Sequence, residues 1–262
     1  MDLGLTGSVA VVTGASKGIG LAISRALVAE GAHVVAGARE PSDELTALVD
    51  EGHADFVEVD LASPEGPAEL VASAMARHRH LDVLVNNVGG AATRTGGFLS
   101  VTDDQWLFSI TLNLMAAVRT TRAALGPMLE AGTGSIVTTS SVNAFLPDPG
   151  VIDYSAAKAA LSNFCKSLSK ELGPHGIRVN TISPGPVATD LWLGAGGVAA
   201  TVARATGANA DDVAAGAAAQ SVTGRFTTPE EVGRLVAFLA GDAAANITGA
   251  DVTIDGGLIT TL

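Results

Sequence analysis

Thr13-Gly14-Ala15-Ser16-Lys17-Gly18-Ile19-Gly20 follows the apolar, β-branched run Ser8–Thr13 and leads into the helical-period segment Gly18–Glu30. A strand that breaks into a glycine-rich turn and then a helix opens a βαβ unit. The glycines let the backbone turn sharply and approach a ligand that side chains would hold off. The helix start adds free N–H groups and the positive end of a dipole, so this turn suits a pyrophosphate. Its spacing, G-x-x-x-G-x-G, differs from the G-x-G-x-x-G of many dinucleotide-binding turns.

The same alternation runs through the rest of the chain. Strand-like runs are Ala32–Ala38, Ala54–Val59, Val83–Asn86, Gly134–Ser140, Ile177–Ile182 and Asp251–Ile254. Helical-period segments lie between them, at Pro41–Glu51, Pro64–His80, Thr102–Ala131, Ile152–Leu172 and Thr228–Ala240. Strands alternating with helices predict a parallel sheet, and near-continuous apolar strands predict helices on both of its faces. The expectation is one α/β domain over residues 1–262, doubly wound and Rossmann-type, with a seven-stranded parallel sheet. The stretch from Asp190 to Thr223, rich in Gly and Ala with weak helical pattern, breaks the rhythm. An irregular insertion of that length reads as a substrate lid.

Composition narrows the function. Hydrophobic residues make up 47% of the 262 and charged ones 16%, enough for a large core. The net charge of −12 argues against nucleic acid, anionic membranes and an acidic carrier protein as partners. With 15 Lys and Arg in all, an anionic ligand must be held by a few placed cations or by backbone N–H groups. The lone Cys165 excludes an internal disulfide and reads as a small core hydrophobe. No secretory leader pattern and no apolar run of about 18 residues is present, so a soluble, cytoplasmic protein is expected. No metal site is expected.

The only tyrosine, Tyr154, stands four residues before Lys158. On a helix that spacing puts phenol and ammonium on one face. A phenol with its ordinary pKa near 10 is a poor catalyst at neutral pH, and a nearby positive charge would lower it. The pair is a candidate proton relay. At the end of the second strand, Ala36-Gly37-Ala38-Arg39-Glu40 carries a cation where a dinucleotide's adenosine ribose would lie. Lys17 in the glycine turn faces the same place. Both favour the 2′-phosphate of NADP(H), with Glu40 as an opposing charge one step further on.

Together these residues resemble the short-chain dehydrogenase/reductase superfamily, in its subgroup of about 250 residues with T-G-x-x-x-G-x-G and Y-x-x-x-K motifs. The match covers the chain from Thr13 to Asp255-Gly256-Gly257. The resemblance implies a catalytic set of Asn113, Ser141, Tyr154 and Lys158, with Ser140 as the competing neighbour of Ser141. It implies cofactor contacts from Gly14, Ser16, Lys17, Gly18, Ile19 and Gly20, from Arg39, and from Asp60 and Leu61 after the third strand. Asn87, Val88 and Gly89 belong to the N-N-A-G motif, with Val88 in place of alanine. Pro184, Gly185, Val187 and Thr189 follow the sixth strand, and Tyr154 and Lys158 also touch cofactor. In this reading Ser141 holds the substrate oxygen, Tyr154 gives or takes the proton, Lys158 lowers the phenol pKa and bonds the nicotinamide ribose, and Asn113 holds a water.

The implied activity is NADPH-dependent interconversion of a ketone and a secondary alcohol, by a protein that is a homotetramer in most of the family. Gly90, Asn143, Phe145, Leu191 and Trp192 are the candidate substrate contacts, and the apolar bulk of Phe145, Leu191, Trp192 and Leu193 suggests a medium-sized apolar ketone. Arg94 could pair a carboxylate, or be a solvated loop residue. A β-ketoacyl-(carrier protein) reductase is the alternative enzyme, disfavoured by the acidic charge. A non-catalytic NADP-sensing regulator would have lost the tyrosine or the lysine. Enoyl reductases of the superfamily use a longer Tyr–Lys spacing.

Overall fold

The computed structural model describes residues 1–261. Seven strands, β1 Val9–Thr13, β2 His33–Ala38, β3 Ala54–Glu58, β4 Val83–Asn86, β5 Gly134–Thr139, β6 Ile177–Pro184 and β7 Asp251–Ile254, form one sheet. Their order is β3-β2-β1-β4-β5-β6-β7 and every pairing is parallel. The helices are α1 Gly18–Ala29, α2 Asp43–Asp50, α3 Gly66–His78, α4 Asp103–Ile110, α5 Ala116–Ala131, α6 Ile152–Leu172, α7 Asp190–Leu193, α8 Val198–Thr206, α9 Ala210–Ala218 and α10 Pro229–Ala240.

Two apolar cores lie on opposite sides of the sheet. Val12, Val34 and Val85 pack with Ile23 and Leu27 of α1 and Val232 and Val236 of α10. Val11, Val35 and Leu84 pack with Leu70 of α3, Met128 of α5, and Leu161 and Cys165 of α6. Alternate residues of one strand thus feed opposite faces, which is why the strands read as unbroken apolar runs. Helices α1 and α10 approach closely where Gly233 meets the Ala22 carbonyl, at 2.6 Å from where a Cβ would stand. Cys165 is 2% exposed, a core residue as expected.

Two segments depart from the sequence reading. Thr102–Ala131 is not one α-helix: a π-helical turn, Thr111–Met115, separates α4 from α5. Side-chain periodicity cannot register one widened turn, because the apolar face resumes after it. Residues 190–223 are not irregular: they carry α7, α8 and α9. These helices are short, 4, 9 and 9 residues, and glycines separate them, so no helical period runs long enough to be read.

Strand order reverses between β1 and β4, whose following connections run to opposite sides. That switch point leaves a crevice beyond the carboxyl ends of the strands, where doubly wound folds bind ligands.

Candidate active site

The glycine turn sits at that crevice. Gly14 and Gly18 have φ of +67° and +54°, left-handed values that other residues adopt only with strain. A Cβ on Gly20 would stand 2.1 Å from the Gly14 carbonyl oxygen, so α1 can begin this close to β1 only through glycine. Lys17, the N-cap of α1, makes no side-chain cap bond. The first-turn N–H groups therefore remain available to an anion.

Thr13 and Asn87 lock the turn from below. Thr13 Oγ1 accepts from the backbone N–H of Asn87 at 2.8 Å and of Val88 at 3.0 Å. Asn87 Nδ2 donates to the carbonyls of Thr13 at 3.1 Å and Gly14 at 3.3 Å. The Asn87 side chain is thus spent on scaffold, and Thr13 is a supporting residue that the sequence reading had only as part of a motif. At the tip of β2, Ala38 is buried and Arg39 and Glu40 are exposed. Among the described residues neither Lys17 nor Arg39 enters an ion pair. Asp60 is exposed and folds one carboxylate oxygen back onto the Ala62 N–H at 2.9 Å; Leu61 beside it is buried. These parts fit a dinucleotide: a turn that only glycine can make, uncapped N–H groups, and, among the described residues, one cation without an ion pair in the turn and another after β2.

Opposite the turn, α6 presents Tyr154 and Lys158. Lys158 is 2% exposed, with Nζ 5.7 Å from the centre of the Tyr154 ring. Nζ donates to the Thr139 carbonyl at 2.8 Å, which fixes the ammonium at the end of β5. Burial lowers the Lys158 pKa to about 8, opposed by the nearby Cys165 thiol. Burial also raises the Tyr154 phenol above its ordinary value, and a hydrogen bond with Ser141 works against that rise. The expected lowering of the phenol pKa by Lys158 is therefore not found. The ammonium lies over the ring and bonds a carbonyl, so desolvation of the hydroxyl dominates and the tyrosine holds its proton.

Ser141, at the start of a short 3-10 turn, is buried. Its hydroxyl accepts from the Asn143 N–H at 3.1 Å and donates to Asn143 Oδ1 at 3.2 Å. Ser140 turns away: its hydroxyl lies 2.7 Å from that of Ser162 and donates to the Lys158 carbonyl. Asn113, in the π turn, donates to the carbonyls of Gly90 at 2.9 Å and Ser109 at 3.0 Å and accepts from the Gly90 N–H at 3.0 Å. A Cβ on Gly89 would stand 2.8 Å from Asn113 Oδ1 and 3.3 Å from Lys158 Nζ, so Asn113 and Lys158 flank one glycine. The widened turn is what lets Asn113 reach Gly90; such turns gather at functional sites.

Pro184 ends β6, and the Gly185 N–H bonds the Ile254 carbonyl at 3.0 Å. Val187 bridges to Thr227, and Thr189 leads into α7 with its methyl against the glycine turn, 3.3 Å from a Cβ on Gly18. Phe145 and Leu191 are exposed, 49% and 44%, and Asn143 and Gly90 partly so. Trp192 packs against Phe226, ring centres 5.4 Å apart and planes tilted by 44°.

Arg94 is neither solvated nor free for a substrate carboxylate. It grips Asp153 with two bonds, Nε–Oδ1 at 3.1 Å and Nη2–Oδ2 at 2.5 Å, and its N–H bonds the Gly150 carbonyl at 2.7 Å. The pair ties the β4–α4 loop to the start of α6, next to Tyr154. Asp153 is buried, and the guanidinium holds its carboxyl below the ordinary range although burial pushes the other way. Adjacency to Tyr154 is the only signal the sequence offered for Asp153.

Comparison with known proteins agrees with this fold. A family model described as "Enoyl-(Acyl carrier protein) reductase" matches residues 14–259. The 3-oxoacyl-(acyl-carrier-protein) reductase of Salmonella typhimurium is 35% identical over 258 residues, 96% of this chain and 97% of its own. Oxidoreductase UcpA of the same organism is 37% identical over 262 residues, 97% of this chain and 95% of its own. The crystal structure of L-sorbose reductase from Gluconobacter frateurii, complexed with NADPH and L-sorbose, superposes with a TM-score of 0.91 at 34% identity, covering both chains completely. The chain belongs to the short-chain dehydrogenase/reductase superfamily and is an oxidoreductase.

Proposed function

We propose that this enzyme carries hydride between NADP(H) and a ketone/secondary-alcohol pair, with Ser141, Tyr154, Lys158 and Asn113 as its proton-handling set. The observation that carries this is the buried Lys158 flanking Gly89 with Asn113 and lying over the Tyr154 ring, at the crevice that the glycine turn opens. When bound, the nicotinamide supplies or accepts the hydride at the substrate carbon. Tyr154, its phenol kept neutral by burial, holds the proton that a ketone oxygen needs as it becomes an alcohol. Ser141 can donate to the same oxygen. Lys158 carries a positive charge beside the Tyr154 ring and would hold the nicotinamide ribose. Asn113 sets the backbone of Gly89 and Gly90 against Lys158. Lys17 and Arg39 receive the 2′-phosphate, with Asp60 at the adenine.

The substrate in this reading is a medium-sized, mainly apolar ketone. Phe145, Leu146, Leu191 and Leu193 are exposed around the crevice, and Arg94 is committed to Asp153. Residues 190–223 act as its lid, the chain works as one domain in the cytoplasm, and its partners are copies of itself in a homotetramer rather than nucleic acid or membrane. No described helix is long and apolar enough to cross a membrane. A second reading, reduction of 3-oxoacyl groups on carrier protein, is favoured by the Salmonella relative and opposed by the net charge of −12. A panel of apolar ketones, keto sugars and 3-oxoacyl thioesters, free and carrier-bound, assayed by NADPH oxidation, separates them. Turnover of apolar ketones is expected to lead; a clear preference for carrier-bound thioesters would move the assignment to the second reading.

A further inference from the structure

At the end of the sheet opposite the catalytic crevice, three side chains from three elements converge on one point. His33 opens β2, Asp55 lies in the edge strand β3, and His78 ends α3. His33 Nε2 is 3.0 Å and His78 Nε2 is 2.7 Å from the same oxygen, Asp55 Oδ2. The three atoms all lie within 4.8 Å of one another. The two rings are tilted at 44° with centres 4.5 Å apart, both aiming Nε2 at the carboxylate. The side chains are 30%, 21% and 21% exposed, sheltered yet within reach of solvent.

Two imidazole nitrogens and one carboxylate oxygen are the donor set of a borderline transition metal, not of the oxygen-seeking Ca²⁺ or Mg²⁺. Around a tetrahedral ion with bonds near 2.0–2.1 Å, ligand atoms stand about 3.3 Å apart. The observed 2.7 and 3.0 Å are short of that by a few tenths of an ångström, within the reach of small rotations of partly exposed side chains. The other oxygen, Oδ1, accepts from Arg77 Nη1 at 2.7 Å. That is the arrangement of an outer partner that orients a ligating carboxylate. Arg77 is half exposed, so water screens its charge from a cation at Oδ2. Three protein ligands would leave a fourth position open to solvent.

We propose that His33, Asp55 and His78 bind a divalent transition-metal ion of the Zn²⁺ type, which staples β2, the edge strand β3 and α3 together. The site lies at the strand ends away from catalysis, so its role is structural and independent of the substrate. The test uses the full chain stripped with chelator, titrated with ZnCl₂ by calorimetry and melted with and without the ion, beside MgCl₂. Binding of one ion per chain and a higher Tm with Zn²⁺ but not Mg²⁺ are expected. His33→Gln and His78→Gln, which can still hydrogen-bond Asp55, should weaken Zn²⁺ binding by about tenfold or more, since even the groups behind metal ligands are worth that much. His80→Gln, whose imidazole lies beside Asp82 at 3.4 Å and outside the cluster, should leave binding unchanged. Absence of Zn²⁺ binding by the wild type, or binding that survives both cluster substitutions, would overturn the site and leave the cluster a hydrogen-bonded clasp.

Discussion

In the proposed proton relay, burial acts on both Tyr154 and Lys158. Tyr154→Phe keeps the ring and loses the hydroxyl, so kcat should fall by roughly 100- to 10,000-fold while NADPH affinity stays near wild type. Single-turnover rates and NADPH fluorescence titration measure the two; a rate above about a tenth of wild type would remove Tyr154 from the mechanism. Lys158 carries a stability consequence of definite sign. Its pKa drops from 10.5 unfolded to about 8 folded, so between those values the unfolded chain binds more protons. This residue's contribution to stability therefore rises with pH across that window and is least favourable below pH 8. Lys158→Met should abolish turnover yet raise stability at pH 7 by up to a few kcal/mol, with the gain shrinking toward pH 10. Urea midpoints of both proteins at pH 7 and pH 9.5 give the comparison. The proposed cofactor preference also rests on single residues. Lys17 and Arg39 should give a preference for NADPH on the order of 100-fold in kcat/KM, from two partly solvated charge-assisted contacts. Ala38→Asp with Arg39→Ala should reverse it by adding repulsion and removing attraction. Parity of NADPH and NADH in the wild type would show that both cations are only solvated charges.

At the scale of elements, the Arg94–Asp153 pair joins a loop to the helix that carries the tyrosine. Both partners are well buried, 12% and 2% exposed in their side chains. Arg94→Met leaves Asp153 charged and unpaired, a loss of about 3–5 kcal/mol. Arg94→Met with Asp153→Leu removes both charges and should recover most of it, as the desolvation cost disappears with them. Thermal melts of the single and double variants test the coupling; equal losses in both would show that the pair matters only through packing. The π turn between α4 and α5 is a second device of this kind. It spends one widened turn of helix to bring Asn113 onto Gly90, where a regular helix would carry the side chain elsewhere.

For the whole molecule, a parallel sheet with a switch point collects the glycine turn, Ser141 and the start of α7 at one edge, because the chain leaves every strand there. The proposed assembly has an exposed surface to draw on. Phe98, Leu99, Leu107 and Phe108 are exposed by 60% or more around α4, an apolar patch that water covers poorly. With α5 and α6 pairing across a two-fold, a tetramer is expected by light scattering at micromolar concentration. Leu107→Asp with Phe108→Asp should shift that mass downward, whereas a wild-type monomer would refute the assembly.

Much of this was readable in the chain itself. Alternating apolar runs and helical periods determined the seven strands and their parallel sense, because the inner strands are sandwiched between helices and each long helix needs one apolar face. The order of Gly14, Asn87, Ser141, Tyr154 and Lys158 along the chain was enough to mark the family and the reaction class. What only the tertiary structure decided involves contacts between distant segments or degrees of burial. Arg94 is held by Asp153, 59 positions away, and His33 meets Asp55 and His78 across two elements. The phenol's pKa rises rather than falls because desolvation depends on what surrounds the hydroxyl, which spacing along a helix cannot express. The helices at 190–223 and the widened turn at Asn113 stayed hidden for a related reason: each of those helices is too short to show a period, and a single extra residue in a turn leaves the apolar rhythm on either side intact.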